Sequence, residues 1–448
     1  KTGAELHERL VGKQSVCLRQ LGGSRAGEVR FGRFLSNPRV TTEELIDGVC
    51  VGTGARSAGR HVLAIQDTSE INLQAHANRV SGLGTVGNGT DVGFFVHPLL
   101  AVDADEGVCL GLAHLHLRQR ITGKSPAYRT LPIEEKESVR WIDTVIAGKK
   151  CLMEAATITV VADREADIYE LWDRLPDTRT HLLIRACRDR TLVTTTDKTL
   201  FAWMDEQAVK GGYRISLPVT PKRSAHEALL HVRFGSVTIK KPLNCSDKQA
   251  SARLTLNTID VVEDVTTVVG DEAPIHWRLL TTHPVATLDD ARQCIQWYCL
   301  RWQIEQTFRT VKRQGLDLES SQLERGDRLE KLAVIAFSAA VRVMQLTMAR
   351  DGGTPRPATD AFDAEEIDVL QHLQPVLEGK TAKQKNPHPR LSLAWAAWII
   401  ARLGGWKGYA SERKPGPITM LRGLQAFAAI QQGWLLARSV GEKDVCIR

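Results

Sequence analysis

Residues 297–312, WYCLRWQIEQTFRTVK, place four side chains that can handle phosphate or metal chemistry inside an otherwise apolar stretch. They are Tyr298, Arg301, Glu305 and Lys312. At about 100° per residue, one continuous helix would bring all four within roughly 60° of one another, in the middle of its apolar arc. Buried charges persist where they are paired or used. A structural salt-bridge ladder is the alternative, because Arg301 and Glu305 are spaced i,i+4.

Two aspartates follow apolar runs far upstream. Asp67 comes after HVLAIQ and Asp163 comes after TITVVA, and both runs have the composition of buried strands. If these strands are neighbours in one sheet, the two carboxylates approach each other, and like charges that close require a cation. Oxygen ligands with no Cys or His cluster nearby favour Mg²⁺ or Mn²⁺ over zinc. The alternative is that each aspartate only caps a turn or a helix.

The composition narrows the class of protein. The chain has 448 residues, with 59 Lys and Arg against 52 Asp and Glu, a net charge of +7 and a pI near 8.9. This mild excess permits a nucleic-acid partner without identifying one. The nine cysteines form no CxxC pair, which argues against a disulfide framework and a cysteine zinc site. Because no apolar run of ~18 residues and no signal peptide is apparent, we expect a cytoplasmic protein with no membrane partner.

The elements that must position these residues follow one another along the chain. Residues 1–45 look mostly helical and end in a capping signal at Thr41. Apolar strands, a helix and a strand–helix crossover then indicate a mixed α/β sheet. Residues of about 190–280 look like an antiparallel β insertion. Helix is predicted from about Leu288 through Arg350, and a last, largely helical region follows a linker that contains Gly and Pro.

The spacing Tyr-x2-Arg-x3-Glu-x6-Lys of residues 298–312 resembles the signature of the bacterial cut-and-paste DDE transposases of the insertion-sequence class, the group that contains the enzyme of the kanamycin-resistance transposon. Asp67 in QDTS and Asp163 in VVADREAD are similar to that family's first and second catalytic acids, and Glu305 to its third. RFLSNPRVTTEEL (residues 33–45) and the later GGWKGYASERKPGPITMLRGLQ resemble the family's terminal regions. The likeness thus runs over nearly the whole chain.

The resemblance implies an α/β fold with an RNase H-like catalytic core, an antiparallel β insertion, and flanking helical regions. We expect residues 1–45 to form a helical region that binds DNA ends. Residues 46–349 would form the catalytic domain, with its insertion at about 190–280, and residues 350–448 a helical dimerisation domain. The first acid lies earlier than the family pattern suggests, and no basic helix precedes RFLSNPRV. We therefore expect the N-terminal region to be shortened or diverged.

The resemblance also implies a mechanism. Asp67, Asp163 and Glu305 would hold Mg²⁺, for which Mn²⁺ can substitute, and catalyse phosphoryl transfer. End nicking, hairpin formation, hairpin opening and strand transfer into target DNA would follow in order. The partners would be double-stranded DNA, as terminal inverted repeats and target, and a second copy of the chain in a synaptic complex on the bacterial nucleoid. The alternative is an inhibitory or domesticated DNA-binding relative without catalysis.

The same resemblance implies DNA-binding roles for five residues. Tyr298, Arg301 and Lys312 would bind phosphate near the 5′ end of the strand being cut, since a guanidinium and an ammonium suit phosphate oxygens. Trp277 would stack a base flipped out of the duplex, with an ordinary core or edge-strand tryptophan as the alternative. Arg309 would add a backbone contact, unless it is a solvated surface arginine.

Several other polar residues lie near these candidates in the sequence. Arg164, Glu165 and Asp167 complete the DREAD motif, and we expect them to brace the second acid rather than bind metal. The basic pairs at 222–223 and 240–241, in the β insertion, are placed to follow phosphates or to lie in solvated turns.

Overall fold

A computed structural model of the chain describes residues 1–120, 131–194, 198–217, 219, 223–312, 315–353, 356–409 and 412–445. The helices are α1 Thr2–Lys13, α2 Leu18–Gly22, α3 Arg25–Ser36, α4 Thr42–Ser57, α5 Arg140–Cys151, α6 Tyr169–Arg174, α7 Leu200–Glu206, α8 Leu288–Cys299, α9 Trp302–Val311, α10 Gly326–Ala349, α11 Ala364–Leu377, α12 Leu393–Leu403 and α13 Pro417–Val445. The strands are β1 His61–Gln66, β2 Ser69–Asn72, β3 Gly84–Val86, β4 Asp91–Asp103, β5 Cys109–Arg118, β6 Thr157–Ala162, β7 Thr180–Arg185, β8 Gly211–Leu217, β9 His226–Lys240, β10 Arg253–Glu263 and β11 His276–Thr281.

The chain divides into two compact units. Unit 1 consists of Lys1–Ala58, Thr68–Gly123 and Trp302–Arg448. Unit 2 consists of Gly59–Asp67 and Lys124–Arg301. Unit 2 therefore contains both aspartates and the first half of the 298–312 motif, and unit 1 contains the second half.

Unit 2 is built on a mixed sheet with the strand order β1-β6-β7-β11-β10-β9-β8. Strands β1, β6 and β7 are parallel. They are buried along nearly their whole length, which explains why their sequences are almost continuously apolar. Strands β11, β10, β9 and β8 follow as antiparallel neighbours. The predicted mixed α/β character is thus confirmed, and the segment from β8 through β11 is antiparallel, as expected.

Unit 1 combines helices with a small antiparallel sheet in which β4 pairs with β2, β3 and β5. Helix α10 forms its core and packs against β5 and against α1, α4, α9, α12 and α13. The predicted capping signal is also confirmed, because Thr41 and Glu44 form a reciprocal capping box at the start of α4.

Helix α10 has a strongly apolar composition. It is the one helix in the described part of the chain that is long and apolar enough to cross a membrane, with a mean hydropathy of 1.7 over its most apolar window. Sequence inspection had predicted no such run. In the structure 89% of that window is buried inside the protein, which is how the core helix of a folded unit is expected to behave.

Candidate active site

The two aspartates lie side by side at the carboxyl edge of the parallel strands in unit 2. Strands β1 and β6 pair from His61↔Thr157 to Ile65↔Val161. Continuing this register by two residues places position 67 beside position 163. Adjacent strands are roughly 4.8 Å apart, so the two carboxylates emerge from neighbouring backbones at the same edge. The ladder therefore brings together two acids that are far apart in the sequence.

The Asp163 carboxylate also organises the turn that follows it. Its Oδ1 accepts a hydrogen bond from the Glu165 amide at 2.8 Å and caps a short 3₁₀ turn. Asp163 therefore does cap a turn, as the alternative proposed. A cap of this kind uses one of the two carboxylate oxygens, and it fixes the orientation of the side chain. Capping and metal binding are therefore compatible roles for Asp163.

Asp67 carries a cationic partner within unit 2. The Arg301 guanidinium Nη1 lies 3.2 Å from Asp67 Oδ2, and both side chains are about four-fifths buried, with 19% and 18% exposed. A carboxylate at this depth requires a charge partner or a hydrogen-bond network. Arg301 is thus brought to the acidic edge, where it contacts Asp67 directly.

Aromatic rings continue from Arg301 along the same side of unit 2. The Arg301 guanidinium lies 6.0 Å from the centre of the Tyr298 ring, and the Tyr298 and Trp277 rings are 6.2 Å apart and tilted. Tyr298 is buried, and burial raises the pKa of its hydroxyl. Trp277 is half-buried on β11. Trp277, Tyr298, Arg301 and Asp67 therefore form one continuous row.

The single helix predicted for the motif is wrong. Helix α8 ends at Cys299 and α9 begins at Trp302. In the connecting turn, the Arg301 amide donates to the Tyr298 carbonyl at 3.1 Å, a bond between residues three apart that is typical of a tighter 3₁₀ turn. Because the helix is interrupted, Tyr298 and Glu305 do not lie on one face of a single helix. Tyr298 belongs to the end of α8, whereas Glu305 belongs to α9.

Helix α9 buries the predicted apolar face and three polar residues as well. The polar residues are Gln303, Thr307 and Thr310. The two threonine hydroxyls donate to backbone carbonyls one turn earlier at 2.9 and 2.8 Å, so their burial leaves no donor unsatisfied. Glu305 and Arg309 are exposed.

Lys312 lies just beyond the end of α9, in unit 1. Its Nζ is 3.7 Å from Glu319 Oε1, and the same oxygen accepts a hydrogen bond from the Asn72 amide at 3.1 Å. Sequence inspection did not single out Glu319. Glu319 follows Lys312 by seven residues, but α9 ends at Val311. A helical pattern therefore could not have linked the two residues.

Asp167, the last residue of the DREAD motif, braces the turn after Asp163, as predicted. Asp167 is fully buried, and its carboxylate accepts hydrogen bonds from the Arg190 guanidinium, the Trp172 indole and the amides of Cys187 and Arg188. The Arg190 side chain is only 6% exposed. This network fixes the turn after Asp163 to the segment that follows β7. Arg190 was missed because nothing in the local sequence marks it as a partner of Asp167.

The described residues contain no cluster of three or more His, Cys, Asp or Glu side chains close enough to hold a metal ion. Within unit 2, Asp67 and Asp163 provide hard carboxylate oxygens at adjacent strand ends, the ligand type that Mg²⁺ prefers. Glu305 belongs to unit 1. Carboxylate oxygens without Cys or His nearby favour a hard divalent cation over zinc.

Comparison with known families decides the identity. A family model of the transposase DDE domain matches residues 96–342, more than half of the chain. The chain belongs to the transposase DDE-domain family. DNA is therefore its substrate class, and enzymes of this family generally use divalent metal ions. The matched segment includes Asp163 and Glu305, whereas Asp67 lies upstream of it.

A group of three histidines lies at the amino edge of the parallel strands of this transposase, opposite the acids. His61 Nε2 and His283 Nε2 each lie 2.7 Å from the Thr159 hydroxyl, and the His181 ring stacks on His283 with centroids 4.0 Å apart. The Trp297 ring of α8 contacts His61 and His283 at 4.7 and 5.0 Å. Burial, together with His181 and His61, lowers the pKa of His283 to about 3.

We expect this group to make the transposase less stable in acid. The pKa of His283 in the unfolded chain is about 6.5, so the unfolded chain takes up the proton first as the pH falls. The stability that depends on neutral His283 is present above pH ~6.5 and decreases below it, by roughly 2 kcal/mol at pH 5. Urea unfolding at pH 7 and pH 5 measures the decrease.

His283→Gln is the matched variant, because an amide can donate to Thr159 and does not titrate. The decrease in the free energy of unfolding between pH 7 and pH 5 should be smaller in this variant. Burial lowers the pKa of His7 to about 4. His7 therefore adds the same loss of stability in acid to both proteins. An identical decrease in the two proteins would show that His283 does not couple folding to pH.

Proposed function

We propose that the chain catalyses cut-and-paste DNA transposition by metal-dependent phosphoryl transfer, as a transposase of the insertion-sequence class. The observation that carries this proposal is the parallel register of β1 and β6, which sets Asp67 beside Asp163 in a chain of the transposase DDE-domain family. An RNase H-like core is part of the proposal and is compatible with the mixed sheet of unit 2.

The three acids Asp67, Asp163 and Glu305 would hold Mg²⁺, or Mn²⁺ in its place. Bound there, such ions would supply Lewis-acid stabilisation of the charge that develops in an in-line displacement at phosphorus. Arg301 supports a role for Asp67 as a ligand, because its position 3.2 Å away indicates a carboxylate that requires a cation. On metal binding, Arg301 would become available for a phosphate oxygen of the DNA.

Tyr298, Arg301 and Lys312 would hold the phosphates of the strand being cut, and Arg309 would contact the backbone. Trp277 would stack a flipped base, an interaction worth ~1–3 kcal/mol in other aromatic–base contacts. The row from Trp277 through Tyr298 to Arg301 supports this assignment, since it leads from the proposed base site to the first acid. The chemical order would be nicking, hairpin formation, hairpin opening and strand transfer.

The proposed complex contains two transposon ends and two copies of the chain. Residues 1–45 would bind the terminal inverted repeats, residues 46–349 would carry catalysis, and residues 350–448 would provide the dimer contact. Such a complex would act on the bacterial nucleoid, in the cytoplasm.

Cleavage of a transposon-end duplex tests this function. The labelled duplex is taken from the inverted repeats that flank the coding region and is incubated with the protein and Mg²⁺. We expect nicks and hairpins with the natural chain, none with Glu305→Ala, and normal products with Asp47→Ala, which removes an exposed helical carboxylate of the same unit. Binding without cleavage by the natural chain would contradict the proposal and favour an inhibitory relative.

A further inference from the structure

The chain that follows α9 folds back onto the end of that helix within unit 1. The Leu316 amide donates to the Thr310 carbonyl at 2.7 Å, and the amides of Gly315 and Asp317 donate to the Lys312 carbonyl at 3.0 and 3.1 Å. Asp317 has a left-handed backbone with φ 52°, a conformation that aspartate tolerates better than most residues. The fold-back also requires glycine at position 315, because an added Cβ there would lie 2.0 Å from the Thr310 carbonyl oxygen.

The fold-back returns a carboxylate to Lys312. Leu316 and Leu318 are fully buried, which anchors the short 3₁₀ turn Leu318–Ser320 against β2. Glu319 lies in this turn, and its side chain is only 11% exposed. Its Oε1 accepts a hydrogen bond from the Asn72 amide at the end of β2, at 3.1 Å, and lies 3.7 Å from the Lys312 Nζ. One oxygen thus links the backbone of β2 to the ammonium of Lys312.

This contact restrains Lys312 without using up its hydrogen-bond donors. A lysine ammonium is a point charge on a flexible four-carbon chain, so a fixed carboxylate nearby limits where the charge can lie. The 3.7 Å separation is well beyond the 2.7–2.9 Å that is typical of a charge-assisted hydrogen bond. The pair therefore directs the ammonium by charge alone. The Lys312 side chain is 26% exposed, which leaves its ammonium within reach of a phosphate oxygen.

We propose that Glu319 is a positioning residue for Lys312, which holds the ammonium ready for a phosphate oxygen of the strand being cut. Glu319 itself does not contact the DNA. The inference rests on the proposed function, which gives Lys312 its phosphate, and deepens it by adding a residue that the motif does not contain. Because β2 begins two residues after Asp67, the same contact ties Lys312 to the strand that follows the first acid in the sequence.

A double-mutant cycle between positions 312 and 319 tests the proposal. Glu319→Gln removes the charge and keeps an oxygen that can accept the Asn72 amide, and it is made both in the natural chain and together with Lys312→Met. The control is Glu365→Gln, which removes a carboxylate from an exposed position of α11 in the same unit. Fluorescence anisotropy in EDTA measures the affinity for a transposon-end duplex. Initial rates at saturating duplex in Mg²⁺ measure cleavage, and thermal melting verifies folding.

Glu319→Gln is expected to separate affinity from cleavage when Lys312 is present. The affinity should rise by about twofold to fivefold, because phosphate no longer competes with a carboxylate for the ammonium. The cleavage rate at saturation should fall by roughly tenfold or more, because the ammonium is no longer held in place. Neither quantity should change when Glu319→Gln is added to Lys312→Met, and Glu365→Gln should behave like the natural chain.

A merely structural role for Glu319 gives a different pattern. Equal effects of Glu319→Gln with and without Lys312 would show that the substitution acts through the fold, and would overturn the proposal. The absence of any effect on affinity and cleavage would also overturn it. If Glu319→Gln does not fold, Glu319→Asp replaces it, since this variant keeps the charge but shortens the side chain by one methylene. It should lower cleavage only where Lys312 is present.

Failure of this inference is distinguishable from failure of the proposed function. If the natural chain cleaves and Glu319→Gln cleaves equally fast at saturation, the positioning role fails while the proposed function stands. If the natural chain never cleaves, the proposed function fails, and affinity alone decides the positioning role. A rise in affinity that requires Lys312 then supports the role, and a rise that does not require Lys312, or no rise, overturns it.

Discussion

Asp163→Asn is expected to reduce cleavage of a transposon-end duplex by about 10³-fold. The amide keeps the oxygen that accepts the Glu165 N–H, so the turn after β6 should stay intact. The negative charge is lost, and with it a ligand for the proposed metal. Metal-assisted charge stabilisation contributes several kcal/mol, and each ~1.4 kcal/mol is a factor of ten in rate.

Asp264→Asn is the control for this substitution. Asp264 also caps a short 3₁₀ turn, with its Oδ1 accepting from the Thr266 amide at 2.9 Å, but it is not a proposed metal ligand. Initial cleavage rates at saturating Mg²⁺ compare the two variants with the natural chain. We expect Asp264→Asn to cleave normally. Cleavage by Asp163→Asn within tenfold of the natural rate would show that the carboxylate at position 163 only caps the turn.

Arg190→Met is expected to lower the free energy of unfolding by about 3–5 kcal/mol. The substitution leaves the Asp167 carboxylate fully buried without its cation, although the Trp172 indole and two backbone amides still donate to it. A lone buried carboxylate costs far more than the pair contributes. Urea unfolding, followed by circular dichroism, measures the loss.

Two companion variants separate the buried pair from a general effect of removing a cation. Lys198→Met breaks the exposed pair with Glu206, whose side chains are 37% and 56% exposed, and should cost less than about 1 kcal/mol. Asp167→Asn combined with Arg190→Met removes both charges and should recover much of the lost stability. If Arg190→Met and Lys198→Met cost the same, the buried pair does not have the role described here.

Sequence patterns were sufficient where the determining contacts are local or where strand periodicity is strong. The runs HVLAIQ and TITVVA became buried parallel strands with an acid at each end. The Thr41 capping box depends on residues three apart, and it formed as predicted. Strands β8–β11 fall in the segment of about 190–280 that was predicted to be antiparallel. These features depend on few competing contacts.

Other features could not be predicted, for physical reasons. The break between α8 and α9 falls at Leu300 and Arg301, where no Gly or Pro marks the end of a helix. The burial of Gln303 depends on the Gly107 carbonyl, which accepts from it at 2.9 Å from far away in the sequence. The group formed by His61, His181 and His283 exists only because three strands come together. Each case depends on tertiary packing rather than on local sequence.

The β1–β6 ladder determines how the two acids respond to the insertion of residues. The separation of the two acids is counted in whole residues along paired backbones, so it changes only in discrete steps. Inserting one residue into β1 would advance Asp67 by about 3.3 Å and turn its side chain to the opposite face. Substitutions in the loops between β1 and β6 do not alter this count. The geometry of the acids is thus insensitive to loop evolution and intolerant of a single-residue insertion within either strand.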